Sequence, residues 1–246
     1  MDNLLLMLPL LFAVAFLYSS VGHGGASGYL ALMAMFSVAP AVMKPTALLL
    51  NLFVALTSFI FYYRGQYFNK KLFLPLALAS IPMAFVGGSM TIHSDVYKKM
   101  LAIFLLIPVI RFVFFTDIKV NETANPKTGW LLLIGGSIGL LSGMLGIGGG
   151  VILSPVLLLL RWTDQKQAAA ISALFIFVNS IAGLFGQLRK GVTFTPDMVY
   201  FVIAAFIGGL LGSYFGAIKF QQKTIKYLLA AVLAVASFKL LLPNMS

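Results

Sequence analysis

Polar residues in this chain interrupt an otherwise apolar sequence. Apolar runs occupy 4–20, 29–39, 45–63, 72–92 and 97–115, and then, after a polar stretch at 116–128, they occupy 129–144, 151–160, 168–188, 198–217 and 224–242. Most approach the roughly 20 residues that a helix needs to cross a bilayer. Two of them, 29–39 and 151–160, are too short to do so. No run shows the strict alternation of a half-buried strand. The pattern therefore predicts an all-α integral membrane protein, in which each half carries a short helix followed by long transmembrane helices.

Composition strengthens that reading. Hydrophobic residues make up 61% of the 246, charged residues only 9%, and mean hydropathy is +1.01. Soluble domains carry about a quarter charged residues. Cysteine is absent, which excludes disulfides, thiolate metal sites and a cysteine nucleophile. No cofactor is expected. The net charge of +11 comes from Lys and Arg placed between apolar runs. That placement orients a membrane protein and gives no reason to expect nucleic acid. The first run follows Asp2 and lacks the basic flank of a signal peptide, so it is expected to stay as a helix.

The halves repeat one another in motif as well as in spacing. Val21-Gly22-His23-Gly24-Gly25 answers Leu145-Gly146-Ile147-Gly148-Gly149, Thr46-Ala47-Leu48 answers Ser172-Ala173-Leu174, and Arg64-Gly65 answers Lys190-Gly191. An internal duplication is expected, with a first transmembrane repeat at 1–115, a polar linker at 116–128 and a second repeat at 129–246. Inverted repeats place Arg64, Lys70, Lys71, Arg111, Lys119, Lys127, Arg161, Lys166, Lys219, Lys223 and Lys226 on one side. Lys44, Lys98, Lys99, Arg189, Lys190 and Lys239 then fall on the other. Cytoplasmic loops are the richer in Lys and Arg. The expected topology has the linker and the 64–71 loop in the cytoplasm and both termini outside.

Each short run follows a glycine-rich break, and irregular backbone at membrane depth survives only where it is buried in protein or lines a cavity. Paired breaks in two repeats point to a transporter's binding site. Successive glycine N–H groups can form an anion nest, and each break opens a helix whose N-terminus favours negative charge. Close helix packing is the competing use of glycine. It is the expected role of Gly135, Gly139 and Gly143, and of Gly208, Gly212 and Gly216, which recur every fourth residue.

The six acidic residues, Asp2, Asp95, Asp117, Glu122, Asp164 and Asp197, all fall in expected loops or termini. The absence of a carboxylate from the spans favours an anionic or neutral substrate. No Lys or Arg is expected beside a buried anion either, leaving backbone donors to hold it. His23 is the one titratable side chain expected at depth, able to donate to an anion, to carry a proton or to bond backbone. The expected substrate-binding set is Gly22, His23, Gly24 and Gly25 in the first break and Gly146, Gly148, Gly149 and Gly150 in the second, joined by Thr46, Asn51, Ser172 and Asn179.

Ser20-Val21-Gly22-His23-Gly24-Gly25, Gly143-Met144-Leu145-Gly146-Ile147-Gly148-Gly149-Gly150, and Asn179 followed by Arg189-Lys190-Gly191 together resemble the TauE/SafE sulfite exporter family. The resemblance covers nearly the whole chain. It implies a permease for sulfite, sulfoacetate or related organosulfonates in a prokaryotic inner membrane. His23 departs from the aliphatic residue that fills its place in the second half, which leaves proton involvement open. The expected partners are a small anionic substrate and the lipid bilayer. A proton or sodium co-ion and a second copy of the chain are further candidates. An anion channel is the competing function. No metal cluster, carboxylate pair or nucleophilic triad lies at depth to suggest an enzyme.

Overall fold

The computed structural model describes residues 2–20, 25–114, 124–192, 196–218 and 222–241. Every regular element among them is a helix: α1 (Asp2–Ser20), α2 (Ala26–Met35), α3 (Pro40–Arg64), α4 (Lys70–Ser89), α5 (Ser94–Phe114), α6 (Thr128–Leu145), α7 (Gly150–Leu159), α8 (Gln165–Leu188), α9 (Pro196–Ile218) and α10 (Gln222–Leu241). In lipid a helix satisfies its own backbone. Among the described residues α3, α4, α6 and α8 are long and apolar enough to cross a membrane.

Helix starts are set by ordinary capping chemistry. The Asn69 side chain accepts from the N–H groups of Lys71 and Leu72 at α4, and Asp164 accepts from Gln167 N–H at α8. Pro40 opens α3 after an extended Ala39, where a proline's missing N–H costs nothing. The expected start of this helix was 45, the position of its next proline. Instead α3 runs through Pro45, and Lys44 becomes a helical residue.

Glycines seat the long helices against one another. Cβ atoms built on Gly135, Gly139 and Gly143 would lie 2.4, 2.4 and 2.0 Å from the carbonyl oxygens of Leu76, Ser80 and Ala84, so α6 runs alongside and parallel to α4. Gly208 and Gly212 meet the carbonyls of Phe12 and Phe16 at 2.4 and 2.1 Å, which makes α9 the parallel neighbour of α1. The packing role expected of these five glycines is what the structure shows, while the side of Gly216 lies outside the described residues. Each short-helix hairpin thus rests on a long helix from the opposite half.

The α1–α2 hairpin is closed by Tyr18 Oη and Ser27 Oγ at 2.8 Å. Both its ends lie with the start of α3, the end of α8 and the end of α10, where Lys239 Nζ donates to Met35 O at 2.6 Å. The α6–α7 hairpin opens at the other end, where Ala124 N–H meets Arg161 O at 2.8 Å and Lys166 Nζ meets Tyr67 Oη at 2.9 Å. We refer to these as the Lys190 end and the Tyr67 end.

Candidate functional site

The second break is a turn that side chains would obstruct. Gly146, Gly148 and Gly149 have φ of 80°, 72° and 79°, a region that costs other residues about 1–2 kcal/mol each. Gly146 ends α6, donating its N–H to Ser142 O at 2.8 Å. Gly149 is the N-cap of α7 and has no side chain to offer it. The first N–H groups of a helix have no acceptor inside it, and here no side-chain cap covers them.

Two long helices enclose this turn. On α3, Lys44 and Asn51 are seven residues apart and so share a face. A Cβ on Gly146 would lie 3.1 Å from Lys44 Cα, and one on Gly148 would lie 2.8 Å from Asn51 Nδ2 and 3.1 Å from Ser180 Oγ. On α8 the contacts follow the step-of-four ridge Ser172, Ile176, Ser180. Gly148 and Gly150 both meet Ile176, and Gly150 also meets the Ser172 carbonyl at 3.1 Å. Gly149 is set against Phe175 and Ser142 Cβ, the latter at 3.3 Å.

The polar atoms around the turn are under-used. Asn51 Nδ2 donates to Ser180 Oγ at 3.4 Å, a long bond. Asn51 Oδ1, Ser142 Oγ and Ser172 Oγ are buried without a hydrogen-bond partner among the described residues. Buried polar atoms in folded proteins are mostly paired. These three atoms leave hydrogen-bonding capacity on residues that touch the turn.

Lys44 corrects the expectation that no cation stands beside the breaks. It is only 6% exposed and has no carboxylate partner among the described residues. Its Nζ sits 4.3 Å from the ring centroid of Tyr97, whose hydroxyl donates to Leu145 O at 3.0 Å, one residue before Gly146. Lys190 is close enough to repel Lys44. Lys190 itself donates to Met90 O, and partial burial lowers its pKa. A cation–π contact gives about 2 kcal/mol when desolvated, less than the several kcal/mol lost on burying an ammonium. The ring therefore offsets only part of that cost, and no carboxylate among the described residues offsets the rest.

The remaining expected residues divide. Gly146, Gly148, Gly149, Gly150, Asn51 and Ser172 converge on the turn. Thr46 does not join them, because its hydroxyl donates to Val42 O at 2.6 Å. Asn179 bonds back to Phe175 O at 2.8 Å, leaving its Oδ1 buried and unpaired. Gly25 caps α2 at an ordinary φ of −79°, and its missing Cβ leaves room for the ring of Tyr29. Gly22, His23 and Gly24 lie outside the described residues. The sequence also placed every acid in a loop or terminus, whereas Asp95 stands in the first turn of α5, Asp197 in the first turn of α9, and Asp2 opens α1.

A profile of the sulfite exporter TauE/SafE family matches residues 7–240. The chain belongs to the TauE/SafE sulfite exporter family. A probable membrane transporter protein of Sinorhizobium fredii is 32% identical over 235 residues, covering 94% of this chain and 95% of that one. A probable membrane transporter protein of Methanocaldococcus jannaschii is 25% identical with 97% of each chain covered, and one of Bacillus subtilis is 25% identical over 83% and 82%. No solved structure matches. As a TauE/SafE protein the chain is a membrane transporter. The turn at 146–150 with Lys44, Asn51 and Ser180 lies within the matched residues.

Proposed function

We propose that this protein is a multi-pass secondary transporter of a prokaryotic inner membrane that moves a small sulfur-containing anion, such as sulfite or a short organosulfonate. The anion is held at the second glycine break. The single observation that carries this reading is Lys44, a buried amine without a carboxylate partner among the described residues, whose backbone packs against Gly146 and whose Nζ lies over the Tyr97 ring. The α7 N-terminus and the hydroxyls of Ser142 and Ser172 add donors without adding charge. Transport, not catalysis, is the proposed activity.

The two halves are read as one unit duplicated and inverted, 1–115 and 129–246, joined by the linker at 116–128. Support comes from the hairpins that open at opposite ends, and from positive φ at Ser37 and Arg161, each just past a short helix. In this reading His23, Gly24 and Gly25 of the first break also take part in binding the anion. His23 supplies a proton there, and a sodium co-ion is the competing choice.

Calorimetry on purified protein with sulfite, thiosulfate, sulfate, sulfoacetate and taurine tests the assignment. Charge-assisted hydrogen bonds contribute about 1.5–3 kcal/mol, so Lys44→Gln should weaken the bound anion at least about tenfold. Gly148→Leu should abolish binding. Unchanged affinity in a normally folded Lys44→Gln variant would place the site elsewhere.

A further inference from the structure

A second cationic feature lies apart from the glycine break. At the Lys190 end a cavity of about 230 Å³ opens between the turn after α2, the first turns of α3 and α5, and the last turn of α10. Its lining includes Lys98, Lys239, Ser37, Ser94, Pro40 and Tyr97. No carboxylate is among the lining residues. The nearest acid in sequence, Asp95, is exposed and stands 3.8 Å from His93 Nδ1. Lys239 Nζ donates to Met35 O and, at 3.3 Å, to Ser37 Oγ, which occupies two of its three protons. The cavity is smaller than a drug-sized pocket and suits a small ion with a few waters.

Tyr97 joins this cavity to the break. Its side chain is a wall of the cavity, meets Lys44 at its ring and bonds Leu145 through its hydroxyl. A cleft lined by one sign of charge raises the local concentration of its counter-ion.

We propose that this cavity is an outer binding site for small oxyanions, held by Lys98 and Lys239, from which anions pass Tyr97 to reach Lys44. Its place on a transport path rests on the function proposed above. Its affinity for anions does not.

The chain has no cysteine, so Ser94→Cys places a single thiol in the lining. Purified protein in detergent is labelled with thiosulfonate reagents carrying either a sulfonate or a trimethylammonium group. The ratio of the two rates is normalised to a free thiol. A unit charge about 6 Å away changes each rate about threefold at the dielectric of water, so the wild-type background should favour the sulfonate reagent at least about fivefold. Lys98→Gln alone should lower that preference, and Lys98→Gln with Lys239→Gln should bring it close to one. Millimolar sulfate should slow labelling by the sulfonate reagent in the wild-type background only. A preference indifferent to Lys98→Gln, or no protection by sulfate, overturns the proposal. Because labelling needs no turnover, a preference that persists in a protein that transports no sulfur anion would sink the transport reading and leave this site standing.

Discussion

Asn51 on α3 and Ser180 on α8 form a buried polar side-chain contact between the two halves of the chain, with Gly148 pressed against both. The 3.4 Å bond between them is weak, and Asn51 Oδ1 has no partner among the described residues. Ser180→Ala should therefore lower stability only slightly, by about 0.6 kcal/mol, as interhelical hydrogen bonds in membranes do. If Asn51 also contacts substrate, Asn51→Ala should reduce anion affinity more than Ser180→Ala does. Melting and calorimetry on the two variants separate these effects.

Lys44 gives a prediction of opposite sign for stability and for binding. Removing a buried charge that has no carboxylate partner among the described residues relieves its desolvation penalty. Lys44→Met should hold or raise the melting temperature without ligand and weaken anion binding. A lower melting temperature would mean that Lys44 holds the fold together.

Glycines on one helix should differ sharply in tolerance. At Gly143 a Cβ would meet the Ala84 carbonyl at 2.0 Å, whereas at Gly136 the nearest atoms are side-chain carbons at 3.7 Å. Gly143→Ala should cost about 1–3 kcal/mol through overpacking. Gly136→Ala should be neutral or gain up to about 1 kcal/mol of helix propensity. Detergent melting curves of the pair decide it.

Orientation can be read with two cysteines. Lys70 opens α4 near the Tyr67 end and Lys99 lies in α5 near the Lys190 end, and both are exposed. With the Lys- and Arg-rich side in the cytoplasm, an impermeant thiol reagent applied to whole cells should label Lys99→Cys and spare Lys70→Cys. The reverse pattern would turn the protein over in the membrane.

The ten helices among the described residues were legible because hydrophobic length is a strong signal in a membrane chain, and the packing glycines because their spacing of four matches a helix face. Lys44 was not. Pro45 suggested a helix start, which left Lys44 in a loop, whereas Pro40 at the first position lets α3 begin earlier and turns Lys44 inward. On α3 the residues expected at the site were Thr46 and Asn51, but the face that meets the break is 44 with 51. On α8 they were Ser172 and Asn179, where the ridge runs from Ser172 through Ile176 to Ser180. Faces of a helix apolar on all sides cannot be ranked by polarity. They are chosen by the neighbour that crosses them, and sequence does not give the crossing.

The three left-handed glycines at 146, 148 and 149 have a consequence for how such a transporter can diversify. A position that strongly favours glycine leaves little for selection to vary, so, on the proposed reading, the turn is a poor place to retune from one anion to another. On the proposed reading, selectivity is written on the facing helices, at Lys44, Asn51, Ser172 and Ser180, and on α6 at Ser142, where side chains can change with the glycines left in place. Transporters that share the turn should therefore differ in cargo through those five positions, and a swap of cargo preference should be achievable there with every glycine left in place.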